Sequence, residues 1–172
     1  HNNSIVNLSI ILNCTTPSSE VTLTNDTTFC PGEFNANSIT IATGVNLTCF
    51  GTTLKANHQT NPAIVLQDHV TVNSCKFVDF AVGFTSRIVS GDFHNITLTK
   101  INVTSSKVNS RALECYFGGG MRIEHSHFST DENLYFSHCQ NNTIINNTFE
   151  GIRGIYFEED SNNHTIINNT FK

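Results

Sequence analysis

The sequence predicts an all-β fold: a single-domain parallel β-helix of about six stacked turns, each 21–26 residues long. Three observations predict it. The heptapeptide Thr-Ile-Ile-Asn-Asn-Thr-Phe occurs at 143–149 and returns unchanged at 165–171, and an internal repeat of this period marks a stacked-repeat architecture. The same phase runs upstream. Ile123 and Phe128 stand 21 residues before Ile144 and Phe149, Leu98 and Val103 stand 25 before those, Val72 and Phe77 a further 26, and Leu47 lies 25 before Val72. A second stripe, Asn133–Phe136 against Gly154–Phe157, keeps step at 21. Finally, no window of a dozen residues carries the 3.6-residue spacing of an amphipathic helix.

Taken in order, residues 1–36 read as an N-terminal strand (Ser4 to Leu12, rich in Ile and Leu) and an entry segment that includes Val21-Thr-Leu-Thr-Asn25. Residues 37–172 read as the stacked turns. In Ser38-Ile-Thr-Ile-Ala42, alternation puts Ile39 and Ile41 on one face and Ser38 and Thr40 on the other. Val70–Val72, Asn95–Thr99 and Gly154–Phe157 have the same strand chemistry. The bends fall to Asn141-Asn142, Gly118-Gly119-Gly120 and Asp160–Asn163, residue types that tolerate left-handed backbone angles. A single coil cannot bury its inner face, so neighbouring turns ~4.8 Å away must do so. Thirteen Phe and no Trp suit a narrow interior filled by like-on-like columns. Asn147 over Asn169 either forms an amide ladder at a corner or simply reflects the turn preference of Asn.

The pattern Ile144, Asn147, Phe149, Gly154, Ile155, Phe157, repeated through Ile166, Asn169 and Phe171, resembles the right-handed parallel β-helix of the pectin-lyase-like superfamily. It is most similar to the NosD-like carbohydrate-binding and sugar-hydrolase repeats, written N-x-I-x-x-N-x-F followed by G-I-x-L or G-I-x-F. The resemblance covers residues 20–172 and is strongest at the end. It implies the fold, whereas function on a shared fold depends on the site each member carries.

Charged residues make up 13% of the chain and the net charge is −5, which argues against nucleic acid as a partner. No run of eighteen apolar residues is present to span a membrane as a helix. The opening at His1 reads as a mature chain after removal of a signal segment, or as a boundary introduced for expression. Eleven Asn-x-Ser/Thr sequons occur. Ten are expected glycan acceptors: Asn2, Asn7, Asn13, Asn25, Asn46, Asn95, Asn102, Asn141, Asn163 and Asn168. The eleventh, Asn146, is set apart because it would be blocked if it pointed into a packed corner. Six Cys in such a chain read as three disulfides. Stacking the turns brings Cys49 within one turn of Cys75 and Cys115 within one turn of Cys139, and leaves Cys14 with Cys30 to staple the entry segment.

Catalytic residues are hard to find. The enzymes of the resembled superfamily use clustered Asp with calcium and a Lys or Arg base, or neighbouring Asp pairs. Here Asp68, Asp79, Asp92, Glu114, Glu124 and Glu150 are dispersed, and Glu158-Glu159-Asp160 reads as a solvated bend. Stacked turns could still bring Glu114 near Asp92 or Glu132, as cleavage of a glycosidic bond would need. His125-Ser-His127 is the candidate metal pair, if alternation puts both rings on one side of a strand near His138 or His164. Copper delivery, linked with NosD-like relatives, is what the resemblance implies for such a pair. No cofactor is expected.

The functional expectation is a secreted or cell-surface, glycosylated structural protein. If the sequence is the entire mature chain, its last turn ends on Phe171-Lys172 uncovered, and head-to-tail contacts with the N-terminal segment of the next copy would build a filament or surface assembly; otherwise the sequence is a portion of a longer β-helix. The alternatives are a carbohydrate-binding module that uses polar faces such as Thr97, Thr99 and Tyr156, and a polysaccharide lyase or hydrolase.

Overall fold

A computed structural model describes residues 13–56, 62–87 and 95–172. Among them lie twenty-one strands and no helix. Three parallel sheets of seven strands form a right-handed β-solenoid of seven turns. Sheet I contains β1 (Glu20–Leu23), β4 (Ser38–Ile41), β7 (Pro62–Leu66), β10 (Val82–Arg87), β13 (Arg111–Gly119), β16 (Glu132–Gln140) and β19 (Arg153–Phe157). Sheet II contains β2 (Thr27–Phe29), β5 (Asn46–Cys49), β8 (Thr71–Asn73), β11 (Thr97–Thr99), β14 (Arg122–Glu124), β17 (Thr143–Ile145) and β20 (Thr165–Ile167). Sheet III contains β3 (Gly32–Ala36), β6 (Thr52–Ala56), β9 (Lys76–Val78), β12 (Asn102–Thr104), β15 (His127–Ser129), β18 (Thr148–Glu150) and β21 (Thr170–Phe171).

The register matches the sequence phase. Leu47, Val72, Leu98, Ile123, Ile144 and Ile166 form one inward column. Leu54, Phe77, Val103, Phe128, Phe149 and Phe171 form a second. In that column the rings of Phe128 and Phe149 stack at 5.5 Å, and those of Phe149 and Phe171 at 5.2 Å. The third column runs Ile39, Ile64, Phe84, Leu113, Leu134, Ile155. Burying each such side chain contributes ~1.5–3 kcal/mol, and the turns above and below supply the contact.

Two expectations change. There are seven turns rather than six, because β1 to β3 close a complete first turn inside the stretch read as an entry segment. The apolar strand candidate at 4–12 lies outside the described residues, as do Asn2 and Asn7. The glycine run is also only partly a bend: Gly118 and Gly119 extend β13 and pair with Cys139 and Gln140. A Cβ on Gly119 would lie 1.9 Å from the Gln140 carbonyl oxygen, so the two strands approach this closely only with glycine there.

The corners repeat as regularly as the strands. Between sheets II and III, each turn from the second to the seventh has one residue with a left-handed backbone: Gly51, Ser74, Lys100, His125, Asn146 and Asn168, with φ of 52–71°. Between sheets I and II the same role falls to Gly44, His69, Asn95, Gly120, Asn141 and Asn163. The residue after each points inward. At the II–III corner these inward residues are Thr52, Cys75, Ile101, Ser126, Asn147 and Asn169, all but Asn169 in the seventh turn buried. Asn147 and Asn169 do form the amide ladder. The Asn147 amide nitrogen donates to Asn169 Oδ1 (3.1 Å) and to the Ile123 carbonyl (2.9 Å), and Asn147 Oδ1 accepts from the Ser126 N–H (2.9 Å). One turn earlier, Ser126 Oγ accepts from the Ile101 N–H at 3.0 Å.

The three disulfides are Cys14–Cys30, Cys49–Cys75 and Cys115–Cys139. Cys75 occupies the inward corner position that Ser126 and Asn147 hold further along, and one turn earlier Thr52 fills it, its Oγ1 donating to the Cys30 carbonyl (2.8 Å) and the Phe29 carbonyl (3.2 Å). Cys14 precedes Thr15, which bridges to Phe29 and covers part of the edge of β2.

Candidate functional site

The densest group of chemistry-bearing side chains lies on the outer face of sheet I, across β13, β16 and β19. Register puts Arg111, Glu132 and Arg153 in one row and Glu114, Tyr135 and Tyr156 in the next. Tyr116 and Ser137 pair beside them. Arg111 donates from Nε to Glu132 Oε2 (2.7 Å), and from Nη1 to Glu114 Oε1 (2.9 Å) and to the Tyr116 hydroxyl (3.3 Å). Arg153 grips the other Glu132 oxygen at 2.5 Å. The Tyr135 ring lies 5.6 Å from both Tyr116 and Tyr156, with the Arg111 guanidinium 4.1 Å above its centre. Its hydroxyl donates to Glu158.

These contacts set the electrostatics. Burial pulls the Arg111 guanidinium down, but hydrogen bonds and charge from Glu132 and Glu114 outweigh it and hold the group above its ordinary value. The Tyr135 hydroxyl is pushed up to about 12, by burial first and then by the Glu158 carboxylate. Glu114 does meet Glu132 here, but through one shared guanidinium, and Glu132 is clamped by a second. A glycoside hydrolase needs an acid and a base facing the scissile bond. These two carboxylates are instead committed to positive partners within the wall. Asp92, the other proposed neighbour of Glu114, lies outside the described residues. The stacked rings face along the rod, toward one another, so the face is a ladder of paired groups.

His125 and His127 do not share a strand. His125 occupies the left-handed corner (φ 52°) between β14 and β15, and His127 opens β15 on the next sheet. The single left-handed residue breaks the alternation that would have aligned them. His127 Nε2 lies 3.8 Å from Glu150, and His125 Nε2 is 3.3 Å from the Asn146 amide. His138 and His164 lie elsewhere: His138 stacks on Phe117 at 4.7 Å, and His164 on Phe157 at 4.2 Å. Among the described residues no group of three or more His, Cys, Asp or Glu is placed to hold a metal ion.

One further constellation has the residue types of a nucleophile relay. Ser137 Oγ is 3.1 Å from His138 Nδ1, and His138 Nε2 is 4.0 Å from Asp160. Ser137 is 7% exposed and Asp160 is beyond hydrogen-bond reach, so neither access nor orientation is provided. On the outer face of the first turns an open groove of about 450 Å³ is lined by Glu20, Val21, Thr22, Ser38 and Thr40.

The sequons within the described residues fall into two groups and one exception, Asn102. Asn95, Asn141, Asn146, Asn163 and Asn168 are exposed left-handed corner residues, each followed by an inward residue and then by a Thr at or near a strand start. At the II–III corner the inward residues are Asn147 and Asn169, so Asn146 itself faces solvent. Asn13, Asn25 and Asn46 are exposed without a left-handed backbone. Asn102 sits in β12 with Oδ1 buried and unpartnered. The sequence reading missed a second ladder at the I–II corner, where the Met121 N–H donates to Asn142 Oδ1 (3.0 Å) and the Asn142 N–H to His164 Nδ1 (3.3 Å). Its signal was the Asn-Asn doublet, in which the first Asn turns the chain and the second points in.

The chain matches no known protein-family profile, no curated protein and no solved structure.

Proposed function

We propose that the chain is a secreted, glycosylated structural β-solenoid of an extracellular filament or cell-surface assembly, joined end to end with further copies. One observation carries this reading: the charged and aromatic groups of the outer wall pair between successive turns, so they serve to hold the stack together. Three disulfides suit an oxidising, extracellular setting. The rung motif resembles the NosD-like repeats of the pectin-lyase-like superfamily, a resemblance that bears on the fold and not on the role. Light scattering and electron microscopy of the oxidised, secreted protein test it. Concentration-dependent rods that shorten in Ile166→Lys and Phe171→Lys variants are expected. A monomer at high concentration, unchanged by either substitution, overturns it.

A second reading is carbohydrate recognition on the outer face of sheet I. It is supported by the half-exposed Arg153 beside the Tyr156 ring, 5.1 Å away, at the accessible end of that ladder. A glycan array in which Tyr156→Ala removes all binding supports it, and an array without hits removes it. A lyase or hydrolase has the weakest support, since Glu114 and Glu132 both hold Arg111.

A further inference from the structure

β17 and β20 each turn an isoleucine outward. Ile145 and Ile167 are register partners on the outer face of sheet II, and Ile167 is 46% exposed. Two outward isoleucines in line form an apolar strip on a wall that has Thr99 and Glu124 at the equivalent positions of β11 and β14. The strip is bracketed within the same two turns. Asn141 and Asn163 stand at the corner where β17 and β20 begin, and Asn146 and Asn168 at the corner where they end. All four are exposed, and all four begin an Asn-x-Thr sequon. The inward doublet partners Asn142, Asn147 and Asn169 carry the ladder bonds, so the four outer amides are not needed for it.

We propose that N-linked glycans on these corner asparagines cover the outer face of sheet II and shield the Ile145–Ile167 strip. The inference rests on the secretory reading above and adds where the saccharide sits and what it does. In the modification, the asparagine Nδ2 forms a bond to the anomeric carbon of an oligosaccharide carried on a lipid diphosphate. The carbon–oxygen bond to the diphosphate breaks, the lipid diphosphate leaves, and the amide gives up one proton. Asn141 and Asn163 are separated by one turn, ~4.8 Å, as are Asn146 and Asn168. A branched saccharide is wider than this, so one glycan at each corner suffices to cover both turns. Asn102, whose amide oxygen is turned into the wall, stays unmodified. The outer face of sheet I, with its Arg–Glu–Tyr ladders, is left for contact with partners.

The test is glycopeptide mass mapping of the full chain secreted from a eukaryotic host, combined with apolar-dye binding before and after enzymatic deglycosylation. Expected are glycans on Asn141 or Asn163 and on Asn146 or Asn168, with a several-fold rise in dye fluorescence on stripping. A variant with Asn141→Gly, Asn146→Gly, Asn163→Gly and Asn168→Gly keeps the left-handed corners, because glycine accepts positive φ freely. It should fold, bind more dye than the glycosylated wild type without stripping, and lose that increment when Ile145→Thr and Ile167→Thr are added. Glycans confined to Asn13, Asn25 or Asn46 overturn the inference and leave the secretory reading standing. Glycosylated corners with no change in dye binding on stripping overturn the shielding role. A chain without any glycan from such a host overturns both.

Discussion

Replacing Asn147 by Ala removes a side chain that makes three hydrogen bonds in the II–III corner and leaves one buried backbone N–H without its partner. The Ser126 N–H loses its acceptor at 2.9 Å, whereas the Ile123 carbonyl loses one donor at 2.9 Å but keeps its place in the β14–β17 ladder. Both residues are buried, Ser126 at 4% and Ile123 at 0% exposure. Asn169 Oδ1 keeps the Asn147 backbone N–H at 2.8 Å, so the seventh turn is not cut loose. An unsatisfied buried donor costs ~1–3 kcal/mol, so the substitution should cost at least that much before any cavity term is added. Asn147→Ser should lose roughly half as much, because Ser126 already fills the same column one turn earlier by accepting from the Ile101 N–H. Asn146→Gly, at the exposed corner next door, should be near neutral. Denaturant unfolding with disulfides intact gives the stability changes, and hydrogen exchange at the Ser126 amide gives the local effect. An Ala variant within 1 kcal/mol of wild type, with Ser126 still protected, would refute the ladder as a source of stability.

Other outcomes follow from the same geometry. Burial lowers the His164 pKa below its unfolded value, and the neutral ring is what accepts the Asn142 N–H. The stability that depends on neutral His164 is therefore complete above the unfolded pKa of ~6.5 and is lost as pH falls through the lower folded value. His164→Asn should flatten that acid limb in pH-dependent unfolding, and an unchanged profile counts against it. Removing the Cys115–Cys139 staple by Cys115→Ser with Cys139→Ser opens a loop whose ends are 24 residues apart. That should cost about 3 kcal/mol by denaturant titration. Gly154→Ala puts a Cβ 2.4 Å from the Phe171 ring. It should displace that ring and cost ~1–3 kcal/mol, with faster amide exchange in β20 and β21 and little change in the early turns. Glu132→Gln removes two of the three ion pairs made by Arg111 and Arg153 and leaves Arg111 with Glu114. It should lower the melting temperature more at low salt than at high salt.

Much of the architecture was legible because each inward column repeats its residue type at a fixed phase: Ile123, Ile144 and Ile166, and Phe128, Phe149 and Phe171. The disulfides were legible for the same reason, since one turn of chain separates Cys49 from Cys75 and Cys115 from Cys139. The first turn was not. Thr27 stands in the column that later holds Leu47 and Val72, and Gly32 replaces a side chain altogether, so the phase fades where the stack begins. The His125–His127 pairing failed because alternation assumes an uninterrupted strand, and one residue at φ 52° turns the chain between them. The Asn142–His164 ladder was hidden because imidazole Nδ1 substitutes for an amide oxygen, a chemical equivalence that a residue-type repeat does not display. The Arg111–Glu132–Arg153 row needs the register of three strands before its charges can be seen to alternate.

The matched corners mean that this molecule can change length only in whole increments. Thr143 and Thr165 are register partners with the same preceding backbone geometry, so excising 143–164 would join Asn142 directly to Thr165. Every remaining column would stay in phase and no cysteine would be lost. Gain or loss of such cassettes by gene duplication and deletion would lengthen or shorten the rod without disturbing either neighbour, whereas deletion of a single residue inside a strand would turn the side chains beyond it in that strand to the opposite face.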